Sequence, residues 1–190
     1  GEGDLTLVFE ADHVEIYTLS FTIAPGYIGR LDAAHALYIA RVQGKDKGLD
    51  RIREATKGCN DVSPAMMLLA AAEGIAKALD LGDMVGIGAS AQVSAVKVTT
   101  PEKFVRAYDE FWTSVGGVRL ARNMYRLKLP MLGKPILEIK RDHRSRTQRK
   151  RRFKQGVKDE VGKAFRDAAL RPGTSRSSSD AAEIAATARS

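Results

Sequence analysis

Residues 63–82 constrain the fold more than any other stretch of the chain. Ser63 offers a hydroxyl at a helix cap and Pro64 a pre-set φ at the first helical position. Met67, Leu68, Ala71, Ile75, Ala78 and Leu79 then recur at helical spacing as a wide apolar face, and Gly82 stops the run. The apolar stretch 65–81 is interrupted by Glu73, Lys77 and Asp80, so it reads as a core helix and not as a membrane span.

The segments around it read as strands and further helices. Residues 5–9 and 14–23 look like strands joined around Ala11-Asp12-His13. In the second, Ile16, Thr18, Ser20 and Thr22 alternate with Tyr17, Leu19, Phe21 and Ile23, and Pro25-Gly26 ends it. Residues 36–43 form another short β-type run, closed by Gly44. A helix is expected over 49–57, with Leu49, Ile52 and Arg53 on one face. Residues 84–90 read as a central strand, in which Gly86 and Gly88 imply that another backbone or a ligand comes close. Thr100-Pro101 repeats the cap–proline signal, followed by Phe104, Tyr108, Phe111 and Val115 at helical spacing, with Gly116-Gly117 at the end. Residues 124–129 and 135–139 look like closing strands, broken by Pro130 and Gly133. The order strand, helix, helix, strand, helix, two strands predicts an α/β fold, a mixed sheet with flanking helices.

Charge divides the chain unevenly. Residues 140–154 carry nine Lys and Arg side chains against Asp142, and they account for the whole net charge of +8. The remainder has 22 basic and 22 acidic residues and is neutral. This organisation predicts an α/β core over 1–140 and a basic C-terminal helix over 141–170, in which Val157, Val161, Ala164, Phe165 and Ala168 suit an amphipathic helix. A Ser/Ala-rich disordered tail is expected over 171–190. The chain opens on Gly1 without a signal-peptide pattern, and Cys59 is the only cysteine. A reducing, cytoplasmic compartment is the expectation, with association at the periphery of the inner membrane open to the basic segment.

Few groupings could carry chemistry. His13, His35 and His143 lie far apart without metal-ligand spacing, and no phosphate-loop, dinucleotide or serine-hydrolase motif occurs. Gln43, Gly44, Lys45, Lys47 and Gly48 form a glycine-bounded turn between a strand and a helix. Its backbone N–H groups and lysines could receive an anion, and a plain solvated turn explains the same residues. Arg53 and Lys57, one helical turn apart, could hold a phosphate or carboxylate or lie on an exposed polar face. Tyr108, beside Asp109 and Trp112, is a catalytic candidate as general acid, with core packing as the alternative. Lys140, Arg144, Arg146, Arg149, Arg151 and Arg152 would attract a phosphate-rich partner such as an anionic lipid surface, and a plain solvated surface segment explains the same residues equally well. The basic run lacks interleaved aromatics apart from Phe153, which argues against base stacking and leaves non-specific nucleic-acid binding as the weakest reading.

Several of these motifs carry a resemblance. Residues 52–57 (Ile-Arg-Glu-Ala-Thr-Lys), Ser63-Pro64 with Leu68-Leu69, Tyr108-Asp109-x-Phe111-Trp112 with Gly116-Gly117, and the stretch from Glu138-Ile139-Lys140 through Arg144-Ser145 to Arg149, Arg151 and Arg152 resemble the VirK-related bacterial proteins. The resemblance implies a role in envelope homeostasis or virulence without a settled biochemical activity. At the level of element order the chain is also similar to the acetyltransferase-like (GNAT) fold, which implies acyl-CoA as a ligand with its pyrophosphate at the turn around residue 44. Trp112 stands where that fold often carries a catalytic tyrosine, and Gln43-x-x-x-x-Gly48 departs from its usual glycine spacing.

Overall fold

A computed structural model describes residues 3–45, 48–91 and 101–169, the side chains of 101–107 excepted. Its centre is a six-stranded sheet in the order β1-β2-β3-β4-β6-β5. The strands are β1 (Leu5–Ala11), β2 (Val14–Pro25), β3 (His35–Gly44), β4 (Asp83–Ile87), β5 (Val118–Leu120) and β6 (Met124–Lys128). Asp12 and His13 both adopt positive φ (51° and 60°), the backbone a two-residue hairpin needs to match strand twist, so β1 and β2 pair directly. All neighbours are antiparallel except β3 and β4, which are parallel and joined through two helices, α1 (Leu49–Gly58) and α2 (Pro64–Ala78).

The alternation in β2 places Leu19 and Phe21 on the face that meets α2, together with Leu37, Ile39, Met84 and Leu127. The Ser63 hydroxyl caps α2 by accepting the Met66 N–H (3.4 Å). This helix is buried nearly all round, not on one stripe, because α4 (Arg141–Ala169) covers the side away from the sheet. The crossing is close: a Cβ on Gly74 would lie 2.3 Å from the Lys158 carbonyl oxygen, and one on Gly162 would lie 2.8 Å from that of Gly74. Glu73 ion-pairs with Lys158 (2.7 Å) inside this contact and accepts the Met131 N–H (3.0 Å). The second large helix on this face, α3 (Pro101–Ser114), buries Trp112 against Gly86, where a Cβ would sit 2.4 Å from the indole ring. The close approach expected at Gly86 and Gly88 is therefore an indole in one case and the Asn123 backbone and amide in the other.

Several expectations differ in detail. Residues 135–139 are not a strand: Pro135 leads into a single 3-10 turn, Ile136–Glu138, and the last sheet position is taken instead by β5, a three-residue strand too short to show a period in the sequence. Leu49 is exposed, and α1 packs through Ile52, Ala55 and Thr56. The helix from 63 ends at Ala78, and β4 ends at Ile87. The basic run and the amphipathic segment are one continuous 29-residue helix, whose Val161 and Phe165 join the main core. The tail expected at 171–190, and the Thr100 and Phe104 side chains, lie outside the described residues.

Candidate functional site

The two parallel strands share only three register positions, Leu37 with Met84, Tyr38 with Val85 and Ile39 with Gly86. Ala40 then forms a bulge, since Phe21 faces Ile39 while the adjacent Ser20 faces Arg41. A bulge bends its strand and ends regular pairing. Beyond it β3 runs on to Gly44, whereas β4 turns towards Asn123, whose carbonyl accepts the Gly88 N–H (2.8 Å). The sheet opens between its two central strands.

Helix α3 straddles that opening. The Tyr108 hydroxyl donates to the Val42 carbonyl (3.0 Å) and accepts the Val42 N–H (3.4 Å), so one side chain satisfies both backbone groups of that residue. One residue on, the Asp109 carboxylate accepts the Ala89 N–H (3.2 Å) and contacts the Asn123 amide (3.5 Å). The Trp112 indole N–H donates to the Ile87 carbonyl (3.1 Å). The helix thus holds β3 through Tyr108 and the end of β4 through Asp109 and Trp112. Burial, and next the neighbouring Tyr108, push the Tyr17 phenol above its ordinary pKa. Tyr17 sits opposite Gly44, where a Cβ would approach its ring to 3.0 Å. Burial, followed by the Asp109 charge, also raises Tyr125.

The residues singled out from the sequence are distributed as follows. Tyr108 lies at the opening itself. Gln43 accepts from the Arg41 guanidinium (2.5 Å), and both line a small polar hollow of about 190 Å³ with Thr18, Gly44 and Lys45. Lys45 pairs with Glu15 (3.1 Å), and its carbonyl accepts the Gly48 N–H (3.2 Å), which closes the turn. Lys47 lies outside the described residues. Arg53 pairs with Asp50 (3.2 Å) on the exposed side of α1, and Lys57 is exposed in its last turn, so neither points to the opening. Trp112 is fully buried and holds a strand; it presents nothing to a ligand. Tyr17 is absent from the candidates that the sequence supplies, because the signal for it is its register opposite Gly44, which requires the pairing to be known.

The basic residues split into two groups. Arg144 donates to the carbonyls of Ile139 and Leu137 (2.9 Å each), Arg151 donates to the Lys134 carbonyl, and Arg146 pairs with Asp61 (2.9 Å). These three hold the helix to the body of the protein. Lys140, Arg149 and Arg152 are exposed, as is Arg141. Burial, and then Lys158, push the Lys154 ammonium below its ordinary pKa. Among the described residues no helix is long and apolar enough to cross a membrane.

Residues 1–162 match the model of a family described as a protein of unknown function, DUF535. The chain belongs to the DUF535 family. A relative in Escherichia coli (strain K12), the uncharacterized protein YbjX, is 26% identical over 170 residues, which is 87% of this chain and 50% of YbjX. This DUF535 chain therefore spans about half the length of the curated relative it matches. No solved structure matches it. The DUF535 match covers every strand, α1, α2 and α3, and the basic half of α4, so the β3–β4 opening and the arginines belong to the family's matched region.

Proposed function

We propose that the chain binds an acyl donor of the acyl-CoA type in the opening between β3 and β4 and acts as an acyltransferase. The observation that carries this reading is the bulge at Ala40, beyond which both backbone groups of Val42 are held by a tyrosine hydroxyl. An extended arm bearing amides, such as pantetheine, offers one N–H and one C=O per amide and can take over both groups. Displaced from Val42, the Tyr108 phenol is the nearby acid. An acceptor amine would attack the thioester carbonyl, the C–S bond would break, the leaving thiolate would take the Tyr108 proton, and the phenolate would recover a proton from the acceptor nitrogen. The strand order, with its parallel pair at the centre and a glycine-bounded turn after β3, supports the same reading through the GNAT resemblance. The test is calorimetry of the full chain with acetyl-CoA and a longer acyl-CoA, joined to native mass spectrometry of the purified protein. Saturable binding, with Tyr108→Phe retaining binding but losing transfer to amine acceptors, is expected. Absence of binding to either acyl-CoA would sink the proposal.

A second reading concerns the envelope role that the VirK resemblance implies, with the basic segment contacting phosphate-bearing lipid from the cytoplasmic side. It is favoured by Arg141, Arg149 and Arg152, which share the exposed face of α4. Anionic vesicles should sediment the protein, and Arg149→Ala with Arg152→Ala should release it.

A further inference from the structure

We infer that residues 129–140 and the first half of α4 form one membrane-docking surface, in which Leu132 and Leu137 insert into the interface of an anionic lipid layer beside the arginines. This rests on the lipid reading above and adds an apolar anchor to it.

The loop that carries the two leucines is held at many points. The Leu129 N–H donates to the Gly82 carbonyl (3.0 Å) and the Met131 N–H to Glu73 (3.0 Å). Three of its carbonyls, at Lys134, Leu137 and Ile139, accept from Arg151 and Arg144. Leu129 and Met131 pack on the main core and Ile136 and Ile139 are half-buried, while Leu132 and Leu137 are turned out to solvent. Leu132 is 89% exposed and Leu137 is 77% exposed. Lone exposed leucines are ordinary on a surface. Two on a pinned loop, which cannot fold them inward, are a standing apolar protrusion. Lys134 and Lys140 are exposed on the same loop, and Arg141 follows at once. An apolar side chain that enters the headgroup region beside cations that stay in the aqueous layer is how peripheral proteins combine the hydrophobic effect with attraction to anionic lipid. The charge of residues 140–154, nine basic against one acidic, selects an anionic partner. The leucines select one with an apolar interior, which nucleic acid and free polyphosphate lack.

The experiment is co-sedimentation of the full chain with vesicles of phosphatidylglycerol mixed with phosphatidylcholine, and with phosphatidylcholine alone. The variants are Leu132→Ser, Leu137→Ser, their combination, and Arg149→Ser with Arg152→Ser. Each leucine variant should weaken partitioning about tenfold, with an unchanged melting temperature, because both positions are exposed. The arginine variant should lose binding to anionic vesicles only. Wild-type partitioning retained by the leucine variants while the arginine variant loses it would overturn the anchor and leave the charge reading standing. No vesicle binding by the wild type would overturn both. A concentration-dependent dimer abolished by the leucine variants, without vesicle binding, would reassign the surface to a second copy.

Discussion

Substituting alanine for glycine in one helix pair should have opposite signs at two positions, and the difference follows from what each Cβ meets. At Gly74 the new methyl would lie 2.3 Å from the Lys158 carbonyl oxygen, where ordinary contact begins near 3.4 Å. The partner is backbone, so no side-chain rotation relieves the clash and α4 must retreat from α2 by about an ångström. Overpacking of this kind costs about 1–3 kcal/mol. The retreat also stretches the 2.7 Å Glu73–Lys158 pair, which is buried on the Glu73 side. Against this, alanine gains about 1 kcal/mol of helix propensity over glycine. With the clash at the upper end of that range, because its partner is backbone, the net loss is about 1–2 kcal/mol, a fall in Tm of about 2–8 °C for a chain of this size. Gly156 lies in α4 as well, and a methyl added there would meet nothing within 4 Å. There only the propensity gain remains, and Gly156→Ala should raise Tm by about 2–4 °C. Thermal melts of the two variants beside the wild type read both signs. A Gly74→Ala protein that melts at or above the wild type, with Gly156→Ala behaving as stated, would refute the close crossing of α2 and α4.

Lys158→Met leaves the Glu73 carboxylate buried without its cation and should cost about 3–5 kcal/mol in urea unfolding, while adding Glu73→Gln should recover much of it. Gly86→Ala sets a methyl 2.4 Å from the ring of the only tryptophan, so stability should fall by about 2 kcal/mol or more and Trp112 emission should shift to the red as the indole is displaced. The Tyr17, Tyr38 and Tyr125 phenols are all pushed up by burial. The folded state therefore keeps protons that the unfolded chain gives up above about pH 10, and stability is full below that pH and falls as pH rises through the folded-state values. Urea midpoints measured up the alkaline limb should decline, less steeply in Tyr17→Phe; a flat limb would contradict the burial of these groups.

Local signals carried much of the fold and little of the site. Ser63-Pro64, the alternation in β2 and the positions of Gly86 and Gly88 each report on immediate neighbours or on a missing side chain, and each corresponds to an observed element. Residues 135–139 failed because Pro-Ile-Leu-Glu-Ile has strand composition, while the partner edge that would stabilise a strand there is taken by β5. Three arginines with the look of ligand contacts bond back onto the protein, Arg144 and Arg151 to carbonyls of a loop and the exposed Arg146 to the Asp61 carboxylate, and those partners are visible only in three dimensions. Tyr108 stands out in the sequence by its place beside an apolar helix face, yet its partner Val42 is 66 residues away. Tyr17 carries no such mark, since it gains meaning only from facing Gly44. The opening they share arises from one extra residue in β3, and a bulge leaves no mark in composition or period.

The three-rung pairing of β3 with β4 also divides the molecule by how quickly its parts can assemble. On one side lie three antiparallel strands, the first two joined by a two-residue turn; on the other, β6 pairs with β4 and β5 with β6, both in antiparallel register. Contacts close in sequence form first, whereas a parallel pair must wait for the intervening chain to be ordered. Here that chain is α1 and α2, so the seam closes only once α2 has found the sheet, and the same seam carries few ladder bonds when the protein breathes. Amide exchange should accordingly be quicker at Val42, whose N–H is held by one tyrosine hydroxyl, than at Leu37 to Ile39, where β3 is paired on both sides, so the stretch a ligand would have to pair with opens ahead of the rest of the seam.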